Sequence, residues 1–255
     1  MPQPLNYKFL KKFIKENSHL FKELVYYPII DSTNSEAFRI ADKHNDNFII
    51  ITDSQSRGRG RFQRKWVSPE NENLYFSLVM KNDRLFSDGL MIMAVSNAVI
   101  KTLNKYKIQS LIKWPNDIII KDRKVCGILF EQKVKGNQKE YAVIGIGLNV
   151  FTDFSRVKAL HEIATSMILY HNDLRREEIF IDLVKKIEDE FNDLIVSQGT
   201  VTFYLDHLYK FGKKIKFKTK RQIIQGVLHS IDENGHILIK TETGVKEFPS
   251  GEIIE

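Results

Sequence analysis

The chain has one cysteine, Cys126, which rules out an internal disulfide and a cysteine-based zinc site. It has no run of roughly 18 apolar residues, so no stretch reads as a transmembrane helix. Lysines interrupt Met1 to Lys15, which removes the apolar core of a secretory signal. There is no Gly-x-x-x-x-Gly-Lys-Ser/Thr, so any nucleotide is bound without a P-loop. Gly145-Ile146-Gly147 is too sparse in glycine for a dinucleotide fingerprint. His161-Glu162 lacks a second histidine at zincin spacing, and the seven histidines form no cluster, so no transition-metal site is assigned. Repeats and low-complexity segments are also missing. These absences leave a soluble, cytoplasmic protein as the expectation.

The 255 residues, 42% of them hydrophobic, suffice for one large domain, or one domain and a small one. A net charge of +7 suits an acidic protein partner or anionic small molecules as well as nucleic acid.

The most informative stretch is Arg57-Gly58-Arg59-Gly60-Arg61-Phe62-Gln63-Arg64-Lys65-Trp66. Apolar runs flank it, Phe48-Ile49-Ile50-Ile51 before and Leu74 to Met80 after, and both read as strands. Five cationic side chains around two glycines repel one another and cannot pack alone, so such a loop needs an anion to fold around. The reading is a loop mobile when empty and ordered over an anionic ligand. A flexible basic surface loop, or one that touches RNA, is the alternative.

Residues 8–24 pattern as one helix, with a lysine-rich solvated face opposite Phe9, Leu10, Phe13 and Ile14. Thr33 and Glu36 have capping-box spacing at the start of a second helix. A helix N-terminus there is either a plain cap or one wall of a polar site. Asp88 to Tyr106 is a broad-faced helix suited to lie flat on a sheet, its methionines filling core. Pro115 ends one strand after Trp114, and another begins at Asp117. Lys113, at the end of an apolar run, either meets an anion or snorkels to water. Turns at Asp122-Arg123-Lys124 and Gly136-Asn137 then give a run of hairpins. Gly127, Gly145 and Gly147 lie inside those strands, where glycine marks close approach of a ligand or another backbone. A long helix over 173–197 and a shorter one over 200–211 follow. Beyond Phe211-Gly212, short strands and turns predict a small β-barrel, with Lys214, Lys216, Lys218 and Lys220 along one strand face. The fold class is therefore α+β, a mixed, mostly antiparallel sheet with helices packed on it. The expected domains are 1–210 and 211–255.

Taken together these motifs resemble the biotin protein ligases. The resemblance rests on Asp31-Ser32-Thr33-Asn34, on Gln55 with the glycine–arginine loop and Trp66, and on Ser68-Pro69 and Asn73-Leu74-Tyr75. It continues through Lys113-Trp114-Pro115-Asn116-Asp117, Lys124 with Gly127-Ile128-Leu129 and Glu131, Gly145 to Asn149, and Ala164-Thr165-Ser166. It covers about residues 28–170 by motif, and the rest, including Gly251-Glu252-Ile253, by layout. Gln63 stands where the family usually has glycine, Asn71-Glu72 replaces a glycine, Cys126 sits where glycine or alanine is common, and Ser250 replaces a glycine.

The resemblance implies a biotin/lipoate ligase-like catalytic domain with an SH3-like C-terminal barrel. It implies an ATP- and magnesium-dependent ligase that makes biotinyl-5′-AMP and then biotinylates a lysine of biotin carboxyl carrier protein, the acetyl-CoA carboxylase subunit. Carried over by position, Ser32, Thr33, Asn34 and Gln55 bind the biotin head group. Gly58, Arg59, Gly60 and Arg61 close over biotin and phosphate, with Arg59, Arg61 and Lys113 in catalytic roles. Lys113 bridges the biotin carboxylate and the α-phosphate. Asn116, Gly127, Gly147 and Asn149 complete the pocket, and Trp66 and Trp114 are apolar walls or plain core. No side-chain cluster is assigned to a metal; Mg2+ arrives with ATP. The motif at Asp31 begins too early for an N-terminal DNA-binding module, so the monofunctional form without specific DNA binding is expected. Some family members form homodimers through sheet edges, and the sequence leaves this open. The nearest rival is a lipoate protein ligase, which shares the fold and the adenylate chemistry. A nucleic-acid-binding protein is the rival of another class.

Overall fold

The computed structural model describes residues 2–81, 86–157, 159–196 and 199–254. Its largest element is a seven-stranded sheet. The strands are β1 (Glu23–Ile30), β2 (Phe48–Gln55), β3 (Leu74–Lys81), β4 (Leu111–Lys113), β5 (Asp117–Ile120), β6 (Arg123–Lys135) and β7 (Gln138–Leu148). They lie in the order β1-β2-β3-β7-β6-β5-β4. Among the described strands of this sheet only β1 and β2 pair in parallel; the remaining pairs are antiparallel. The expected mixed, mostly antiparallel sheet is present.

Period-two alternation sorts the side chains onto two faces. Phe48, Ile50, Val79, Tyr141 and Val143 form one small apolar cluster with Ala37 of α2 (Thr33–Ile40) and Ala41, the residue that follows it. The other face carries the main core, including Ile49, Ile51, Phe76 and Leu78. It is covered by α1 (Tyr7–Asn17), α3 (Asp88–Lys105) and α4 (Arg176–Val196), with α5 (Gly199–Asp206) against α3. Met91 and Met93 are buried core. On α4, Ile179, Phe180, Leu183, Val184, Ile187 and Phe191 are buried as its periodicity requires. The Ile195 side chain and residue 197 lie outside the described residues.

One expectation fails here. The helix read over 8–24 stops at Asn17, and Glu23–Ile30 is the strand β1. Glu188 of α4 takes hydrogen bonds from Ser18 Oγ (2.5 Å) and the Leu20 N–H (3.0 Å), which turns the chain out of the helix. Pro28 is tolerated because β1 is an edge strand, where a missing N–H costs no ladder bond. A long-range carboxylate and a parallel partner leave no local signal.

The C-terminal residues form a second sheet: β8 (Lys214–Lys218), β9 (Ile223–Ile231), β10 (Ile237–Thr241), β11 (Gly244–Phe248) and β12 (Glu252–Ile253). The expected small barrel is realised as five antiparallel strands in the order β11-β10-β9-β8-β12, and no pairing closes it among the described residues. It rests on the main sheet through Trp114, whose Nε1 donates to Gly235 O (2.9 Å) and whose ring lies 5.7 Å from that of Phe217. Trp114 is thus a joint between the sheets.

Below the start of the arginine loop sits a buried ion pair. Arg176 Nη2 meets Asp53 Oδ1 at 2.8 Å, both side chains being 3% exposed. Asp53 also accepts from Tyr26 Oη (2.7 Å) and the Leu5 N–H (3.2 Å), while Arg176 Nη1 donates to Asn73 O (3.0 Å). The pair clamps α4, β1, β2 and the N-terminal segment together, two residues before Gln55. Arg176→Ala strands the Asp53 carboxylate, and we expect a loss of about 3–5 kcal/mol in urea unfolding followed by circular dichroism. A loss below ~1 kcal/mol would mean that the pair is as hydrated as a surface one.

Candidate active site

A cleft of about 630 Å³ opens on the α2 face of the main sheet, between β6, β7, the arginine loop and the C-terminal strand β12. Every site residue picked out from the sequence lines it except Gly58. Gly58 sits behind it: a Cβ there would lie 2.7 Å from Trp66 O and 2.8 Å from Ser68 Oγ.

The glycines of β6 and β7 hollow the floor. Gly127 and Gly147 are cross-strand partners, as are Leu129 and Gly145. A Cβ on Gly147 would lie 2.6 Å from the Trp66 indole, and one on Gly127 2.9 Å from it. A Cβ on Gly145 would lie 2.2 Å from Asn34 Oδ1. The close approach expected from these glycines is therefore occupied by the protein itself, by Trp66 and by the first turn of α2. The Trp66 Nε1–H is buried and has no acceptor among the described residues.

At the head of the cleft Ser32, not Thr33, caps α2, accepting from the Ser35 N–H at 3.5 Å. Thr33 is the first helical residue, and Glu36 accepts from Tyr27 Oη (2.9 Å) instead of closing a capping box. Asp31 takes a two-pronged contact from Arg39, which holds its carboxyl down at about 2. Its backbone oxygen accepts from the Arg57 N–H, which starts the loop (2.9 Å). Gln55 Oε1 accepts from the Thr33 N–H (3.0 Å), and Gln55 Nε2 donates to Ser68 Oγ (3.1 Å). Asn34 Nδ2 donates to Leu129 O (3.2 Å) and Glu131 Oε2 (2.9 Å).

The arginine loop folds back on itself. Gly60 N–H donates to Arg64 O (2.7 Å), Trp66 N–H donates to Gly58 O (2.9 Å), and Arg59 bridges Lys65. Phe62 and Gln63 have φ of 54° and 59°, the left-handed region that favours glycine. Two of the loop's cations meet carboxylates of the protein itself. Arg59 pairs with Glu131 at 2.7 Å, and Arg64 with Glu252 of β12 at 2.6 Å. The Arg64 hydrogen bond lowers the Glu252 pKa. Arg61 reaches Asn116 Oδ1 at 3.4 Å; burial pulls its pKa below the usual arginine value, against the opposing fields of Asp117 and Glu252. Lys124 pairs with Asp117 at 2.6 Å and lies 5.1 Å over the Trp66 ring.

Lys113 ends β4 half-buried in the cleft, and no acidic side chain among the described residues pairs with it. Asn116 Nδ2 donates to Ile128 O (2.6 Å), and Asn149 Nδ2 donates to Thr165 O (3.0 Å) and Lys124 O (3.4 Å), so both asparagines hold strands together. Cys126 is buried, and desolvation raises its thiol pKa. The site list drawn from the sequence omits Glu131, Asp117, Glu252 and Ser77. Ser77 had a signal, a lone hydroxyl in an otherwise apolar strand run. The carboxylates were visible only within motifs, because their partners lie far along the chain.

Among the described residues the one group with metal-ligand spacing is Asp232, His236 and Glu247, on the C-terminal sheet and outside the cleft. His236 Nδ1 contacts Glu247 Oε1 at 2.6 Å, an ion-pair arrangement when the ring is protonated.

The contact of Gly147 with Trp66 gives a direct test. Gly147→Ala forces the indole off the sheet, so tryptophan emission should shift to the red with far-UV circular dichroism unchanged. Unaltered emission would show that Trp66 does not rest on Gly147.

Comparison with known proteins agrees with this geometry. The model of the Biotin/lipoate A/B protein ligase family matches residues 26–149, and that of the Biotin protein ligase C terminal domain matches residues 210–254. The chain is 28% identical over 241 residues to the bifunctional ligase/repressor BirA of Bacillus subtilis, covering 91% of this chain and 74% of that protein. It is 25% identical over 238 residues to the biotin–[acetyl-CoA-carboxylase] ligase of Paracoccus denitrificans, covering 88% and 96%. The biotin protein ligase of Aquifex aeolicus in complex with biotin and ATP superposes with a TM-score of 0.79 at 28% identity, covering 91% of this chain and 97% of that one. Two family models in tandem, with relatives that cover 88% and 91% of the chain, lead to one conclusion: the chain belongs to the biotin protein ligase family.

Proposed function

We propose that the protein joins biotin to ATP as biotinyl-5′-adenylate with release of pyrophosphate, then passes the biotinyl group to a lysine of a biotin carboxyl carrier domain, releasing AMP. The observation that carries this is the charge layout of one cleft. Polar groups of Ser32, Thr33 and Gln55 gather at its head, and an unpaired Lys113 stands further along with Arg59 and Arg61 above. The first step brings a carboxylate oxygen onto an α-phosphorus, two anions that repel. Fixed cations lower that barrier by neutralising charge and holding both groups in line. Lys113 bridges the carboxylate and the α-phosphate. Arg59 and Arg61 close the loop over them. Trp66 and the glycine floor supply the apolar side. In the second step the carrier lysine attacks the acyl carbon and AMP leaves with the bonding electrons.

Magnesium enters with the nucleotide. The cleft carboxylates Glu131, Asp117 and Glu252 are each engaged by a cation, which suits a metal held chiefly by phosphates rather than by a protein cage. Bound there, it would offset phosphate charge.

Lipoate activation is the second reading, and the decisive comparison is pyrophosphate release on mixing the protein with magnesium-ATP and either biotin or lipoate. Release with biotin alone is expected; release with lipoate alone would reverse the assignment. Lys113→Ala should lower turnover by about 10²–10³-fold while the thermal midpoint barely moves. Near-normal pyrophosphate release by that variant would remove Lys113 from the chemistry. Arg61→Gly should still form the adenylate, because Lys113 and magnesium remain, but should release it faster. With biotin, magnesium-ATP and serum albumin, that variant should biotinylate the albumin where the unaltered protein does not. Equal, negligible labelling with adenylate synthesis intact would leave the loop as a binding element only.

A further inference from the structure

We propose that Ser77, a buried residue outside the cleft, fixes the direction of the hydrogen bonds at the cleft head. It does so such that Thr33 is held as an acceptor beside Ser32 as a donor, a pair that selects a urea edge. The inference rests on the biotin reading above and deepens it.

The argument is a count of protons. Ser77 is fully buried on β3, and its Oγ lies 2.6 Å from Asn34 Oδ1 and 2.7 Å from Thr33 Oγ1. A hydroxyl has one proton, so it serves one of these contacts as donor. The Asn34 amide is oriented by Glu131 Oε2 and Leu129 O, which only accept, so its two hydrogens point to them and its oxygen to Ser77. Asn34 Oδ1 cannot donate, so Ser77 must give it its proton. The 2.7 Å contact is then made by the Thr33 proton, with Ser77 Oγ accepting. The other acceptor in reach of that proton, Gln55 Oε1 at 3.4 Å, also lies on the protein side. In both cases the Thr33 oxygen keeps its free lone pair for a ligand.

Ser32 is set the opposite way. Its oxygen already accepts the Ser35 N–H as the helix cap, and its proton has no acceptor among the described residues. Both residues line the cleft. A donor next to an acceptor matches the C=O and N–H of a cyclic urea. A dithiolane ring has no N–H to give and no carbonyl to receive, so it leaves both groups unpaired, which costs binding. Ser77 is a positioning residue in this scheme, acting through Thr33.

The test measures kcat and KM for biotin and for ATP by pyrophosphate release, in the unaltered protein, in Ser77→Ala and in Ser77→Thr. Ser77→Ala should raise the biotin KM about tenfold, one hydrogen bond's worth, with kcat and the ATP KM within about twofold. Ser77→Thr, which restores a hydroxyl, should recover most of that loss. A biotin KM for Ser77→Ala within about twofold of the unaltered protein, or an equal rise in the ATP KM, would overturn the proposal. A second arm needs no variant: biotin methylated on its ureido nitrogens should be a much poorer substrate for the unaltered protein than biotin. Equal use of the two would overturn the acceptor role of Thr33 even if Ser77→Ala fails to fold. Absence of pyrophosphate release from biotin itself would sink the functional reading instead, so the two failures are distinguishable.

Discussion

Three missing side chains govern how near anything can come to the central sheet. At Gly145, Gly147 and Gly127 a single methyl carbon would lie within 3 Å of Asn34 or Trp66. Because it is absent, the first turn of α2 sits flush on β7 and the Trp66 indole lies against the strands. That brings Ser32 and Thr33 over the same floor that Lys113 reaches from β4. The glycines weaken their strands intrinsically. The weakness is offset because β7 is the central strand of the sheet, flanked on both sides by long antiparallel partners.

Charge is organised on the same floor. Arg59, Arg64 and Lys124 each hold a carboxylate, from β6, β12 and β5 respectively. A loop whose charges would otherwise repel one another thus has carboxylate partners on the main sheet and on the C-terminal sheet. Lys113 and Arg61 line the same cleft with no acidic ion-pair partner among the described residues. Under the proposed reading, positive charge fixed in this way would stand where negative charge must converge. The Arg64–Glu252 pair also ties the loop to the C-terminal sheet, which Trp114 and Phe217 fasten from the other side.

Much of this was legible in the residues. Short β-branched or aromatic runs bounded by polar residues gave β2 and β3, turn signals at Asp122 and Gly136 gave the β5–β6–β7 meander, and 3.6-residue periodicity gave α3 and α4. The strand β1 was not legible, because its partner is parallel and distant, its alternation is poor, and it follows directly on a helical pattern. The cap at Ser32 was misplaced by one residue because Glu36, which made Thr33 look like a capping box, is drawn away by Tyr27 and Arg39. The C-terminal strands were found, but whether they close into a barrel depends on pairing between the chain's last strands, which no local pattern encodes.

What the sequence determined by itself were the chemical types and their spacing: a glycine–arginine loop between strands, a lysine before a tryptophan–proline turn, and glycines inside strands. These follow from backbone permissiveness and side-chain charge, which are properties of each residue. The tertiary structure decided which charges are neutralised and which stay free. Arg59 meets Glu131 across 72 residues, Arg176 meets Asp53 across 123, and Ser77 meets Thr33 across 44. Contacts over such separations exist only once the sheet register is set, and register is a property of the whole fold.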